Sequence, residues 1–323
     1  MYTKKLNYKK LLDDFLNYKR SCGYKYSSEE MTLKSFYKYT KEHLISSDGL
    51  TKEFLEKWAT LGIKEGRKSL SNRVSILKNF AIYLNMIGYK AYVLKSIRNS
   101  KNKNFVPYVF SKQEIDKIFL TLDNWPYSCH NIYNSIEVYP VLFRLLYGCG
   151  LRISEALNLK IKNVDTQSGK VYIDVAKYDK QRVVMMSESL RNICHSYKMK
   201  YLLCKDENTT FFQHKDGTIR SKSQISNFFK QILYKANIQY YGKGKGPYLH
   251  NLRHTFACHS FYQMHSNDID MQVGISLLSI YLGHSSIKST ERYLQLFKSI
   301  FPEITSSIEK ISSNIYVDID YEK

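Results

Sequence analysis

Hydrophobic residues recur at helical spacing along most of the first hundred positions. In YKKLLDDFLNYKRSCG, Leu11, Leu12, Phe15 and Leu16 fall on one face, and Gly23 stands where a left-handed cap would end the helix. Ser27 and Ser28, ahead of EEMTLKSFYKYTKEHL, predict a second start, with Glu29 and Glu30 set against the positive N-terminal end. A third helix is expected from near Thr51, with Phe54, Leu55 and Trp58 as its buried stripe. The fourth spans SLSNRVSILKNFAIYLNMIGY, where Val74, Leu77, Phe80, Ala81 and Leu84 share a face. The period then disappears. RNSKNKNFVPYVFS, residues 98–111, is basic and polar, contains Pro107, and reads as a linker. A further helix is expected from Ser111, with Ser111 as N-cap and Glu114 at the capping-box position.

A different pattern enters later. KVYIDVAKYDKQRVVMM alternates Val171, Ile173 and Val175, turns through Tyr178-Asp179 and resumes at Val183, which predicts a β-hairpin. Helical segments flank it, so the expected class is mainly α with a small antiparallel β-sheet. The expected domains are a helical one over 1–104, with a linker from about 98, and a mixed one over 105–323 that includes a tail over 303–323. In that tail Ile304, Ile308 and Ile311 make a short apolar stripe. The apolar run YPVLFRLLYGCGL is broken by Arg144, short of the roughly 18 uninterrupted residues of a membrane span. MYTKKLNYKK has no apolar stretch and does not read as a signal peptide.

Charge sharpens the picture. The formal net charge is +20, and residues 1–104 hold 22 Lys and Arg against 9 Asp and Glu. Such an excess favours a polyanionic partner, nucleic acid or an anionic surface. Lys68, Ser71, Arg73 and Lys78 lie near the start of the fourth helix or off its apolar face. They can follow a phosphate backbone or form an ordinary solvated face. The six cysteines form no CxxC pair. Free thiols in a reducing cytoplasm are expected, with no zinc site.

Four separated pieces carry candidate chemistry. GCGLRISEALNLK places Arg152 just inside a helix with Glu155 three residues on, able to hold the guanidinium in one rotamer. AKYDKQR sets Lys177 at the hairpin. LHNLRHTFACH puts His250 and Arg253 three apart, after YYGKGKGPY, a basic loop with Lys243 and Lys245. Its glycines lack the spacing of a nucleotide-binding P-loop. Lys243 and Lys245 are expected to contact DNA. LGHSSIKSTERY carries His284 and, nine residues later, Tyr293. Taken singly, each has an ordinary structural reading. Together they meet the needs of a tyrosine attacking a phosphodiester. Two arginines clamp the non-bridging oxygens, histidines add hydrogen bonds or move a proton, and a lysine protonates the leaving 5′-oxygen. No acidic cluster suggests a Mg²⁺ site, so neither a metal nor another cofactor is expected.

GLRISEAL, HNLRHTFA and LGHSSIKSTERY closely resemble the boxes of the tyrosine recombinase, or phage integrase, family, in the family's chain order Arg, Lys, His-x-x-Arg, His, Tyr. The resemblance runs from about Phe105 to Pro302, and the basic helical part is similar to the core-binding (SAM-like) domain of Xer-type and lambda-type integrases. It implies that Arg152 and Arg253 bind the scissile phosphate, assisted by His250 and His284. It further implies that Lys177 is the general acid, that Glu155 braces Arg152, and that Tyr293 forms a 3′-phosphotyrosine resolved by a partner strand's 5′-hydroxyl without ATP. The implied partners are double-stranded recombination sites, further copies of the chain in a tetramer, and an accessory factor. The tail is expected to dock on a neighbouring copy, with docking on its own chain or a frayed end as the alternatives. Two stretches, 123–140 and FYQMHSNDIDMQVGISLLSIY, look longer than in compact members, and no arm-site domain is evident before the first helix, which favours a simple-site enzyme. Integration and excision of a mobile element is the task favoured. Xer-type dimer resolution, a type IB topoisomerase and a catalytically silent DNA-binding regulator are the alternatives.

Overall fold

The computed structural model describes residues 7–43, 50–60, 62, 65–97, 107–126, 135–174, 181–214, 216–242, 246–283 and 296–297. The chain divides into two compact units, residues Met1–Asn104 and Phe105–Lys323.

The first unit is helical. Its helices are α1 (Tyr8–Ser21), α2 (Ser27–His43), α3 (Lys52–Trp58) and α4 (Arg67–Met86). Asn7 caps α1 through its side chain, Thr51 caps α3, and Gly23 takes the left-handed conformation after α1. The periodic residues point inward. Leu11, Leu12, Phe15 and Leu16 of α1 meet Leu33 and Phe36 of α2, Leu55 and Trp58 of α3, and Val74, Leu77, Phe80 and Leu84 of α4. Phe54 lies at the edge of this core rather than inside it.

The structure corrects the picture of an open basic face on α4. Arg73 is turned into the unit, where its guanidinium lies over the Trp58 ring and donates to the carbonyls of Trp58 and Thr60 and to both oxygens of Glu65. Ser71 donates to the Ile97 carbonyl, and Lys78 reaches Ser96 Oγ at 3.0 Å. Lys68 stands exposed. Helical spacing alone cannot separate a solvated arginine from one folded back onto a neighbouring loop.

The second unit contains α5 (Lys112–Asp123), α6 (Ser135–Gly148), α7 (Ile153–Asn158), α8 (Glu188–Tyr201), α9 (Lys222–Lys235), α10 (Asn251–Ser266) and α11 (Met271–Leu282). Ser111 and Glu114 form the expected capping box at the start of α5. A sheet of three antiparallel strands, β1 (Val164–Asp165), β2 (Lys170–Ile173) and β3 (Arg182–Met185), lies between α7 and α8 in the chain, with order β1-β2-β3. β1 extends the predicted strand pair by one short edge; two residues are too few to show an alternation. β2 and β3 pair from Lys170↔Met185 to Ile173↔Arg182. Val171, Ile173 and Val184 face the core, while Tyr172, Val183 and Met185 face outward.

Helix α6 is central. Leu142, Phe143, Leu145 and Leu146 join Phe110, Ile118, Val171, Cys194, Phe229 and Leu252 in the main core. A second cluster gathers Ala257, Cys258 and Phe261 of α10 with Met271, Leu278 and Leu282 of α11 and with Leu296 and Phe297. The stretch after Arg253 that looks long in sequence is therefore a helical pair, α10 and α11, joined by a turn at Asn267–Asp270. Among the described residues no helix is long and apolar enough to cross a membrane.

Candidate active site

Gly150 follows α6 at φ +59°, a left-handed turn that a side chain would strain. A Cβ there would also lie 2.4 Å from Cδ1 of Phe256. The turn delivers Arg152 as the N-cap of α7, with extended backbone (φ −73°, ψ 144°), not inside the helix as the spacing predicts. The difference has a chemical use. Outside the helical ladder, the Arg152 backbone N–H donates to Glu155 Oε2 at 2.8 Å, while its side-chain Nη1 donates to Oε1 at 2.7 Å. Glu155 thus holds both ends of Arg152.

Arg253 sits in the first turn of α10, 2 % exposed, and its guanidinium donates to Gly150 O at 2.8 Å and to Leu282 O at 2.6 Å. It lies 3.9 Å from Glu155. A third arginine, which the sequence reading passed over, completes the cluster. Arg182, the first residue of β3, donates Nη1 and Nη2 to the two oxygens of Glu155 at 3.1 and 2.8 Å, and Nε to Tyr281 O at 2.9 Å. The run it opens, RVVMM, is apolar at every later position and does not alternate, so the sequence offers no sign of which way Arg182 faces. In the structure Val184 faces the core, so Arg182, two residues earlier, faces inward too, and an inward arginine requires a carboxylate.

Three consecutive carbonyls at the end of α11 therefore receive three different arginines. Tyr281 O takes Arg182, Leu282 O takes Arg253, and Gly283 O takes Arg152 at 3.2 Å. The last carbonyls of a helix lack intrahelical donors and carry its negative end, so cations settle there. Gly283 ends α11 in the left-handed conformation (φ 65°, ψ 51°). His284 follows it directly in the sequence.

Burial alone would raise the Glu155 carboxyl. The hydrogen bonds from Arg182 and from the Arg152 backbone outweigh it and bring the pKa from an ordinary 4.5 down to about 2. His250 is the N-cap of α10. The protein crowded around it, followed by the charges of Arg253, Arg152 and Lys222, lowers its pKa from 6.5 to about 4, with Glu155 working the other way. The residue as a whole stands exposed at the start of the helix. Near neutral pH the imidazole is uncharged, able to accept a proton or donate one hydrogen bond.

Tyr281 is the alternative tyrosine just ahead of His284 in sequence. Burial pushes its phenol above the ordinary range, its ring stacks on Phe256, and its hydroxyl donates to Met185 O at 3.3 Å. That is a structural tyrosine. Of the expected site residues, the structure brings together Arg152, Glu155, His250 and Arg253. Lys177, Lys243, Lys245, His284, Tyr293 and the tail 303–323 lie outside the described residues.

Residues 109–299 match the Phage integrase family. The chain belongs to that family. Tyrosine recombinase XerD of Staphylococcus aureus is 28 % identical over 276 residues, covering 83 % of this chain and 86 % of that protein. Tyrosine recombinase XerC of Lactobacillus delbrueckii subsp. bulgaricus is 29 % identical over 238 residues, covering 72 % and 73 %. Among solved structures, the XerH site-specific recombinase bound to palindromic difH substrate superimposes with a TM-score of 0.62 at 19 % identity, over 86 % of this chain and 78 % of that one. Lambda integrase bound to DNA gives 0.62 at 16 %, over 93 % and 99 %. At those identities the likeness is one of fold. As a member of the phage integrase family, the chain is a site-specific DNA recombinase of the tyrosine type.

Proposed function

We propose that this recombinase cleaves and rejoins DNA through a 3′-phosphotyrosine on Tyr293. Arg152 and Arg253 bind the non-bridging oxygens of the scissile phosphate. His250 and His284 assist them, and Lys177 protonates the leaving 5′-hydroxyl. The Tyr293 oxygen attacks phosphorus as the P–O5′ bond breaks; in the second step a partner strand's 5′-oxygen attacks the same phosphorus, the P–O bond to Tyr293 breaks, and the phenol leaves. The charge developing on phosphorus meets fixed guanidiniums, which need no reorganisation at the moment of reaction. The observation that carries this reading is the joint placement of Arg152, Arg253 and His250 around Glu155 and the end of α11, two residues ahead of His284. Arg152 is the most open of the arginines on Glu155, its side chain 32 % exposed, as a group that must meet DNA should be.

The partner is double-stranded DNA carrying the recombination site, bound by both units, with Lys68, Lys243 and Lys245 as phosphate contacts and the chain acting as a tetramer in the cytoplasm. Integration and excision of a mobile element is the task we favour over dimer resolution, on the lysine- and tyrosine-rich composition. The test is a nicked duplex carrying the cognate site, from which the small cleavage product diffuses away. Wild type should accumulate a covalent adduct, and Tyr293→Phe should bind equally and form none. An adduct that survives in Tyr293→Phe would place the nucleophile elsewhere.

A further inference from the structure

We propose that Arg182 is a positioning residue for DNA cleavage, acting through Glu155 on Arg152 and through Tyr281 on the chain that leads to His284. The inference rests on the reading above that Arg152 binds the scissile phosphate. Every nitrogen of the Arg182 guanidinium donates to the protein, and its side chain is 8 % exposed. With Nε, Nη1 and Nη2 committed to Tyr281 and Glu155, we assign it no contact to DNA, and any effect on the reaction passes through the groups it holds.

Those groups are well chosen. Glu155 has two oxygens, and each accepts once from Arg152 and once from Arg182. A forked guanidinium fixes the plane of a carboxylate in a way that a point charge does not. With Arg182 in place, the remaining lone pairs of Glu155 point at the backbone N–H and Nη1 of Arg152. Without it, nothing on β3 prevents the carboxylate from rotating to meet Arg152 or Arg253 side-on, and Arg152 loses the rotamer that leaves one edge open. The third bond, Nε to Tyr281 O, ties the opening of β3 to the last turn of α11. In sequence that strand follows the hairpin of Lys177, and that helix precedes His284. A single side chain thus sets two elements, each adjoining a group of the proposed mechanism, against one carboxylate.

The experiment measures first-order adduct formation at saturating nicked DNA, with affinity and thermal unfolding recorded alongside. Wild type, Arg152→Ala, Arg182→Met and Arg182→Lys are compared. Arg182→Met should bind DNA within about threefold of wild type but cleave slower on the order of 100-fold, the scale expected when a reacting group is misplaced by about an ångström. Arg182→Lys, which keeps the charge and loses the fork, should recover only part of that. The rate of Arg182→Met should also fall off on the acid side at a higher pH than the rate of wild type. The charged or titratable groups facing Glu155 among the described residues are Arg152, Arg182, Arg253 and His250. Removing the largest lowering influence leaves burial to raise the carboxyl, so cleavage falls as pH falls. A purely structural Arg182 would reduce the folded fraction and leave the pH profile of the remaining rate unchanged, which would overturn the proposal. Wild-type cleavage by Arg182→Met would overturn it too. If Arg182→Met does not fold, Arg182→Lys decides in the same assay: slower cleavage with unchanged binding supports the proposal, and wild-type speed refutes it. Failure of the underlying reading looks different, because Arg152→Ala would then cleave as wild type does.

Discussion

Glu155 carries more of the site than a brace for one arginine. It is 4 % exposed and faces three guanidiniums, so it must stay ionised for them to stay together. A carboxyl depressed from 4.5 to about 2 contributes stability that is fully present above the unfolded value and is lost as pH falls through the folded one. The shift corresponds to about 3 kcal/mol. Glu155→Gln should therefore lose roughly 3–5 kcal/mol at pH 7, as expected for stripping one partner from a buried ionic group, and the gap to wild type should narrow towards pH 2. Urea unfolding at pH 7 and pH 3 checks this; an equal gap at both would refute the role of charge. His250 makes a separate prediction. Burial first and then the neighbouring cations lower its pKa, so in free protein its imidazole should titrate clearly below 6.5, and phosphate binding should move it upward by offsetting those cations. Proton NMR of the ring with and without DNA reads both.

At the scale of elements, the turn between α6 and α7 is the least tolerant place in the site. Gly150→Ala combines a left-handed backbone with a collision against the Phe256 ring. It should cost about 1–3 kcal/mol and displace the carbonyl that receives Arg253. Calorimetry and the adduct assay should register losses in both stability and cleavage. Much of this layer was legible beforehand. The stripes of α1 and α4, the Ser111 capping box and the β2–β3 pair all follow from periods of 3.6 and 2 acting on a few turn residues. What was not legible depended on contacts far apart in the chain. Arg73 looked like a DNA contact because its carboxylate, Glu65, is not at helical spacing from it, and because Trp58 O and Thr60 O belong to the end of α3 and the residues just beyond it. Arg152 looked helical because i+3 pairing with Glu155 is the same for an N-cap as for a first-turn residue. Arg182 escaped because the positions of both its partners, Glu155 and the Tyr281 carbonyl at the end of α11, are set by tertiary packing alone.

Over the whole molecule, charge organises the encounter with DNA. The excess is greatest in residues 1–104, with 22 basic against 9 acidic side chains. Affinity should fall steeply with salt, by roughly 10³-fold or more between 50 and 200 mM if six or more phosphates are neutralised. A flat salt response in a binding titration would rule out the backbone-tracking role assigned to both units. Within the second unit the forces are of another kind, since the described arginines of the proposed site hang on buried hydrogen bonds that salt does not reach.

The grip on the end of α11 has a consequence for how such a chain can vary. Three guanidiniums hold Tyr281, Leu282 and Gly283 by their carbonyls, so the helix is indexed from its C-terminus. The far end, the turn at Asn267–Asp270, is then a splice point where length is negotiable. Extra residues inserted after Asp268 should be absorbed there, with cleavage retained. One residue added between Ile280 and Tyr281 would rotate every following carbonyl by about 100° and present each arginine with the wrong oxygen. The length of the turn ahead of α11 is free, and the register of the last turn of α11 is not.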